Sequence, residues 1–391
     1  MRKIIPWCLL AFLVWGCSSS DPSILESSIS DTTPVTGQKV LFQVWGLSDS
    51  PPMRYAWHAE GGELQEWDRE EPYAYWIAPD SPATCTITCT ITDNEDNSAV
   101  QVFEVSASQR QLETILDDGT VSCLEKQHVS LLGGAWVSTR DGQIRYVSSS
   151  ANEVSSWTGE FGAMYIDLYG FSYTLWGAPL QGNEISVQSS DSTSVLVCQE
   201  CATDGTIHDL VVDVLDTDLL WIASDSGLQW YHSLSGNHGT YEEGAIDETH
   251  GLFPGKGFVY AAAGSGIFAL DDENDDDGIP LYTGDSCAVL EVVGDDATTL
   301  ETEDADAATV WHISDGAVCR NGQELADQPP AGVVCSLSVD LKGYVWCGKS
   351  RWDGTSWQVQ AGLEDVDVVK SAASNEGLVY FQTASGALLR W

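Results

Sequence analysis

The run Asp271-Asp272-Glu273-Asn274-Asp275-Asp276-Asp277-Gly278 holds the densest set of ligand atoms in the chain. In an extended loop the alternate side chains of Glu273, Asp275 and Asp277 would fall on one side, and Gly278 would permit a sharp turn behind them. Such a loop can gather several of the six to eight oxygens that Ca2+ requires. The other reading is a solvated acidic turn between two strands. A second group offers nitrogen. His128, His208 and His250 each stand roughly eight to thirteen residues before an aromatic-rich strand pattern, with Asp209 beside His208 and Asp247 close to His250. Imidazoles brought together from three repeats of one fold could share a transition-metal ion. Their unequal offsets equally suit three unrelated polar residues. His232 and His238 read as loop residues.

Sulfur forms the third group. Besides Cys17, nine cysteines follow: Cys85, Cys89, Cys123, Cys198, Cys201, Cys287, Cys319, Cys335 and Cys347. The odd count leaves a thiol unpaired. Cys198-Gln199-Glu200-Cys201 could form a zinc knuckle or a redox pair, but a lone C-x-x-C lacks the second half of a zinc site, and a local disulfide is the expectation. Cys335 and Cys347 flank the turn Asp340-Leu341-Lys342-Gly343 and are expected to bridge across a hairpin. Cys85 and Cys89 alternate with Ile87 and Ile91, as buried thiols on one strand face would.

Nucleophile and phosphate motifs are missing. There is no G-x-S-x-G elbow, and Gly251-Leu252-Phe253-Pro254-Gly255-Lys256-Gly257 has neither the spacing nor the Ser or Thr of a phosphate loop. No catalytic residue is assigned, and the cofactors the residues suggest are Ca2+ on the acidic run and a metal ion shared by the three histidines. With 59 acidic against 16 basic residues, the formal charge of −43 repels nucleic acid and anionic head groups. Solubility, or adaptation to salt, is the plain reading of this acidity. Affinity for divalent cations or basic partners is the sharper reading.

The elements that would position these groups can be read along the chain. Met1-Arg2-Lys3 precedes thirteen uncharged residues, Ile4 to Gly16, and then Cys17-Ser18-Ser19-Ser20-Asp21. The apolar run is too short to span a bilayer and has the form of a signal peptide. Val14-Trp15-Gly16-Cys17 resembles the lipobox of bacterial lipoproteins. That resemblance implies cleavage of residues 1–16, a diacylglycerol on Cys17, a tether over 17–24 and a membrane partner reached through the lipid. Ser18, where retained lipoproteins carry Asp, directs the expectation to the outer membrane. An ordinary cleaved signal peptide would instead release a soluble exported protein. Cleavage removes Arg2 and Lys3, so the mature charge is 14 − 59 = −45.

Residues 25–107 alternate with period 2 in short runs separated by Gly, Pro, Asn and Asp, the pattern of a β-sandwich. Tyr55-Ala56-Trp57, Gly61-Gly62 and Thr86 to Thr92 resemble immunoglobulin-like domains of the PKD type, which implies that Trp57 fills the core between two sheets and that the domain acts as a spacer or an adhesion module.

From residue 111 to 391 a different unit recurs: an aromatic strand, a tight turn closed by glycine, and a second strand. Ala135-Trp136-Val137, Leu175-Trp176-Gly177, Leu220-Trp221-Ile222, Val259-Tyr260-Ala261, Val310-Trp311-His312, Val345-Trp346-Cys347 and Val379-Tyr380-Phe381 are seven copies at roughly 40-residue spacing. Trp221-Ile222-Ala223-Ser224-Asp225-Ser226-Gly227-Leu228 resembles the repeat of two-component-regulator-type propellers. The expectation is all-β: an immunoglobulin-like sandwich followed by a seven-bladed propeller, closed by pairing the strand around Leu112 to Leu116 with the last blade. A solenoid or two further sandwiches would also use such units. Function is read as a lipid-anchored envelope platform that binds a protein or glycan without catalysis. A propeller hydrolase or lyase acting on polysaccharide, and a structural part of outer-membrane assembly, are the alternatives.

Overall fold

The computed structural model describes residues 21–65, 71–126, 133–149, 152–169, 172–180, 183–189, 195–198, 205–213, 216–241, 246, 248–255, 258–270, 279–292 and 309–391, and among these described residues strand follows strand with no helix. The chain divides into two compact units. One holds Val40–Ser108 with the chain before Pro34; the other holds Gln109–Trp391 with Pro34–Lys39.

The first unit is a two-sheet sandwich. One sheet has the order Ser23–Ile29, Lys39–Leu47, Tyr73–Ile77, Glu63–Gln65, and the other Arg54–Glu60, Ala83–Thr92, Ser98–Ala107. Alternation explains its core. Val40, Phe42 and Val44 are buried from one sheet, and Tyr55, Trp57, Cys85, Ile87, Cys89 and Ile91 from the other. Trp57 stands among them as expected, with Phe42 and Phe103 against its ring.

Among the described residues, seven four-stranded antiparallel sheets build the second unit. Their first strands are Val121–Lys126, Phe161–Tyr169, Ile207–Val212, Thr249–Pro254, Ser286–Val292, Leu337–Val339 and Val368–Ala373, numbered here as blades 1 to 7. These strands are the innermost. Each is followed by the aromatic strand seen in the sequence, and Trp136, Trp176, Trp221, Tyr260, Trp311, Trp346 and Tyr380 are all buried. One blade leaves two apolar faces uncovered, so burial of these rings between neighbours, roughly 2–3 kcal/mol each, favours a closed ring over separate sheets.

Blade 7 has the order Val368–Ala373, Val379–Thr383, Leu388–Arg390, Glu113–Leu116, so its outermost strand comes from the start of the unit. Leu388 pairs with Leu116 and Arg390 with Glu113, and the Arg390 guanidinium bonds the Glu113 carboxylate at 2.6 Å. This closes the ring as the sequence led us to expect.

Tight hairpins join the second and third strands. In blade 5, Ser314 pairs with Ala317 across Asp315-Gly316, whose φ values of 52° and 73° are those of a type I′ turn. Elsewhere a hydroxyl ends the second strand and caps the turn: Thr139 donates to Asp141, Ser224 bonds Ser226, and Thr383 bonds Ser385. Part of the acidity is structural in the same way. Asp213 accepts from the Trp221 indole N–H and Asp340 from that of Trp346, each at 2.9 Å.

Candidate functional site

All seven innermost strands, or the residues just before them, contribute to one cavity of about 270 Å3 on the ring axis. Its geometry is set by a repeated irregularity. Six of the seven first strands carry a β-bulge at their second residue, where the register with the neighbouring strand skips Ser122, Gly162, His208, His250, Cys287 or Val369. A bulge leaves its extra residue unpaired and re-aims the side chain, a device found at barrel rims and beside binding sites. His208 and His250 therefore hold equivalent places on adjacent blades.

Their unequal distances from Trp221 and Tyr260 come from hairpin length. The first strand of blade 3 ends at Val212 and its second begins at Leu219, whereas in blade 4 the interval runs from Pro254 to Val259. The two imidazole centres lie 5.7 Å apart with rings tilted at 51°. His208 Nε2 is 2.6 Å from Asp225 Oδ1, and the Thr206 amide donates to Asp225 Oδ2. These bonds, the Thr206 amide first and His208 next, hold the Asp225 carboxyl below the usual range, so it is ionised and accepts. His128 lies outside the described residues. The first strand of its blade starts at Val121, and the bulge place there belongs to Ser122. Asp247 also lies outside the described residues, as do Glu273, Asp275 and Asp277. Among the described residues no group of three or more His, Cys, Asp or Glu is gathered to hold a metal ion.

The same cavity is lined by Glu125, Asp209 and Lys370. Lys370 Nζ donates to Glu125 Oε2 at 2.9 Å. Burial works to lower the Lys370 pKa, but the charges of Glu125, Cys123 and Asp209 outweigh it and raise the ammonium above its ordinary value. Asp209 behaves in the opposite sense to Asp225. Burial and then the Glu125 charge push its carboxyl up to about 6, although Lys370 and the amides of Leu252 and Leu210 favour the anion. Asp209 Oδ2 accepts from Leu252 of blade 4 and Oδ1 from Leu210 of its own strand, both at 2.9 Å, so it ties adjacent blades. Neither Glu125 nor Lys370 carried any sequence signal, because a single charge on an apolar strand matches no spacing rule.

One sulfur expectation is overturned. Cys335 is bonded to Cys287 and not to Cys347, with Cα atoms 5.5 Å apart. The register of blade 6 pairs Leu337 with Cys347, which leaves Cys335 two residues beyond the ladder and within reach of the bulge residue of blade 5. Cys347 is a buried thiol that donates to the Val334 carbonyl, and burial pushes it up to about 11. Burial likewise raises Cys89 and Cys123 to about 12, so these thiols are poor nucleophiles at neutral pH. Cys85 and Cys89 are buried and unbridged, as alternation led us to expect. Cys198 ends the strand Val195–Cys198, and Cys201 lies outside the described residues.

No protein-family pattern matches the chain, and no curated protein matches it in sequence. Among solved structures, it is similar to the extracellular domain of a B. thetaiotaomicron protein assigned to the hybrid two-component systems. The TM-score is 0.51 at 17% identity, over 72% of this chain and 39% of that one. The chain thus spans about two fifths of that domain's length. A quinoprotein alcohol dehydrogenase-like protein of B. thetaiotaomicron is matched over 94% of this chain and 95% of its own, with a TM-score of 0.40 and 11% identity. At 17% identity the first of these likenesses carries the fold alone.

Proposed function

We propose that the chain is an exported, lipid-anchored envelope protein whose propeller binds a protein or glycan at the bulged end of its channel, without catalysis. The observation that carries this reading is the ring of bulges. It turns Ser122, His208, His250, Cys287 and Val369 out of the ladder at one level of five blades, and builds a shaped polar rim on rigid strands. Export agrees with the signal-like start, with a disulfide on the rim, and with the extracellular setting of the solved domain it resembles. Lipidation at Cys17 would place that rim at the outer membrane.

The propeller-enzyme reading has one observation in its favour, the Asp209 carboxyl raised towards neutrality beside Glu125 and Lys370. Both Asp209 oxygens, however, accept backbone amides, Leu210 of its own strand and Leu252 of the next blade, which is a structural duty. Binding is therefore the better supported function. A photoreactive residue at Val369, 41% exposed on the rim, should capture one protein or glycan in cells, and His208→Ala/His250→Ala should abolish that capture. Undiminished capture by the double variant would move the binding surface elsewhere. Cys17→Ser should shift the protein from the membrane to the soluble fraction; wild-type protein already in the soluble fraction would refute the anchor.

A further inference from the structure

We infer that His208 and His250 form a two-imidazole clamp for a transition-metal ion of the zinc type, at the mouth of the channel. The inference deepens the binding reading, because the ion would sit on the surface proposed to meet the ligand. Three observations converge on it. The first is separation. Two imidazoles on one tetrahedral zinc, with Zn–N bonds of about 2.0–2.1 Å, place their ring centres roughly 5 Å apart. The observed 5.7 Å is close enough for a small rotation about χ1 or χ2 to close the difference.

The second is the partner of His208. Its Nε2 faces Asp225 Oδ1 at 2.6 Å, so this nitrogen is engaged by a carboxyl group and Nδ1 is the nitrogen left to meet a metal ion. A carboxylate holding the far nitrogen of an imidazole fixes its tautomer and raises its basicity as a ligand. The third is support. Both imidazoles project from bulges on adjacent first strands, so each is anchored in a ladder rather than in a loop. No third protein donor joins them among the described residues, so the remaining coordination places are open to water or to a donor from the docked ligand. Cys287 occupies the next bulge place, but its disulfide with Cys335 leaves it no thiolate to add.

Zinc titration of the full mature chain, without a polyhistidine tag and without reductant, tests the clamp. Millimolar calcium and magnesium are included to occupy surface carboxylates, which prefer those hard ions. Binding of one Zn2+ per chain is expected, weakened at least tenfold by His208→Ala, by His250→Ala and by the size-conserving His250→Gln. Asp225→Asn should weaken it about tenfold through the neighbouring ring. Cobalt(II) should report a tetrahedral absorption spectrum that the same histidine substitutions remove. Absence of stoichiometric binding, or unchanged affinity in folded histidine variants as judged by their melting curves, overturns the clamp. Partner capture that persists under a chelator would leave the binding reading standing without the metal, so the two proposals fail separately.

Discussion

At the scale of single residues, the carboxylates fall into two populations with opposite effects on stability. Asp141, Asp225 and Asp353 accept hydrogen bonds at turns, and their carboxyls are lowered by those bonds. Asp209 is raised to about 6 by burial and by Glu125. The native state thus holds the Asp209 proton more tightly than the unfolded chain, so its contribution is fully present below about pH 4 and is lost as pH rises through about 6. Asp209→Asn removes this dependence. Wild type minus Asp209→Asn, followed by urea unfolding from pH 4 to 7.5, should lose about 1–3 kcal/mol across that window. A flat difference would mean that Asp209 is not buried as a charge.

At the scale of strands and links, the Cys287–Cys335 bond closes a loop with a sequence separation of 48 between blades 5 and 6. Chain-entropy arguments assign such a loop about 4 kcal/mol, and measured bridges commonly give about 2–4 kcal/mol. Cys287→Ser/Cys335→Ser should lower stability by that amount, and reductant should reproduce the loss in the wild type but leave the double variant unmoved. Hairpin glycines set a second constraint. Gly386 has a φ of +84°, and a Cβ there would lie 3.1 Å from the Gly119 amide nitrogen, where the two ends of the ring meet. Gly386→Ala should therefore cost more than the roughly 1 kcal/mol of an ordinary left-handed position, read as an earlier melting transition.

At the scale of the whole molecule, the sandwich core draws its residues from its own unit, while the ring distributes its core over blade after blade. Two calorimetric transitions are expected. Trp57→Ala should lower one of them, at about 3–5 kcal/mol for a buried aromatic, and leave the transition of the ring in place. A single transition that moves as a whole would show that the units unfold together.

The all-β class, the sandwich, the seven blades and the closing strand were legible in the chain because each depends on local pattern: period-2 alternation, Trp or Tyr at a recurring place, and glycine at tight turns. Trp57 and the buried pair Cys85 and Cys89 were legible for the same reason. The site was legible only in part. His208 and His250 were visible as residue types, but their equivalence was masked by hairpins of different length, and only the register of the bulges revealed it. The pairing of Cys335 with Cys287, and the gathering of Glu125, Asp209 and Lys370 in one cavity, were decided by tertiary structure alone. Local pattern determines which residues a strand buries, whereas contacts between residues some 50 to 250 positions apart are set by how the blades close around their axis.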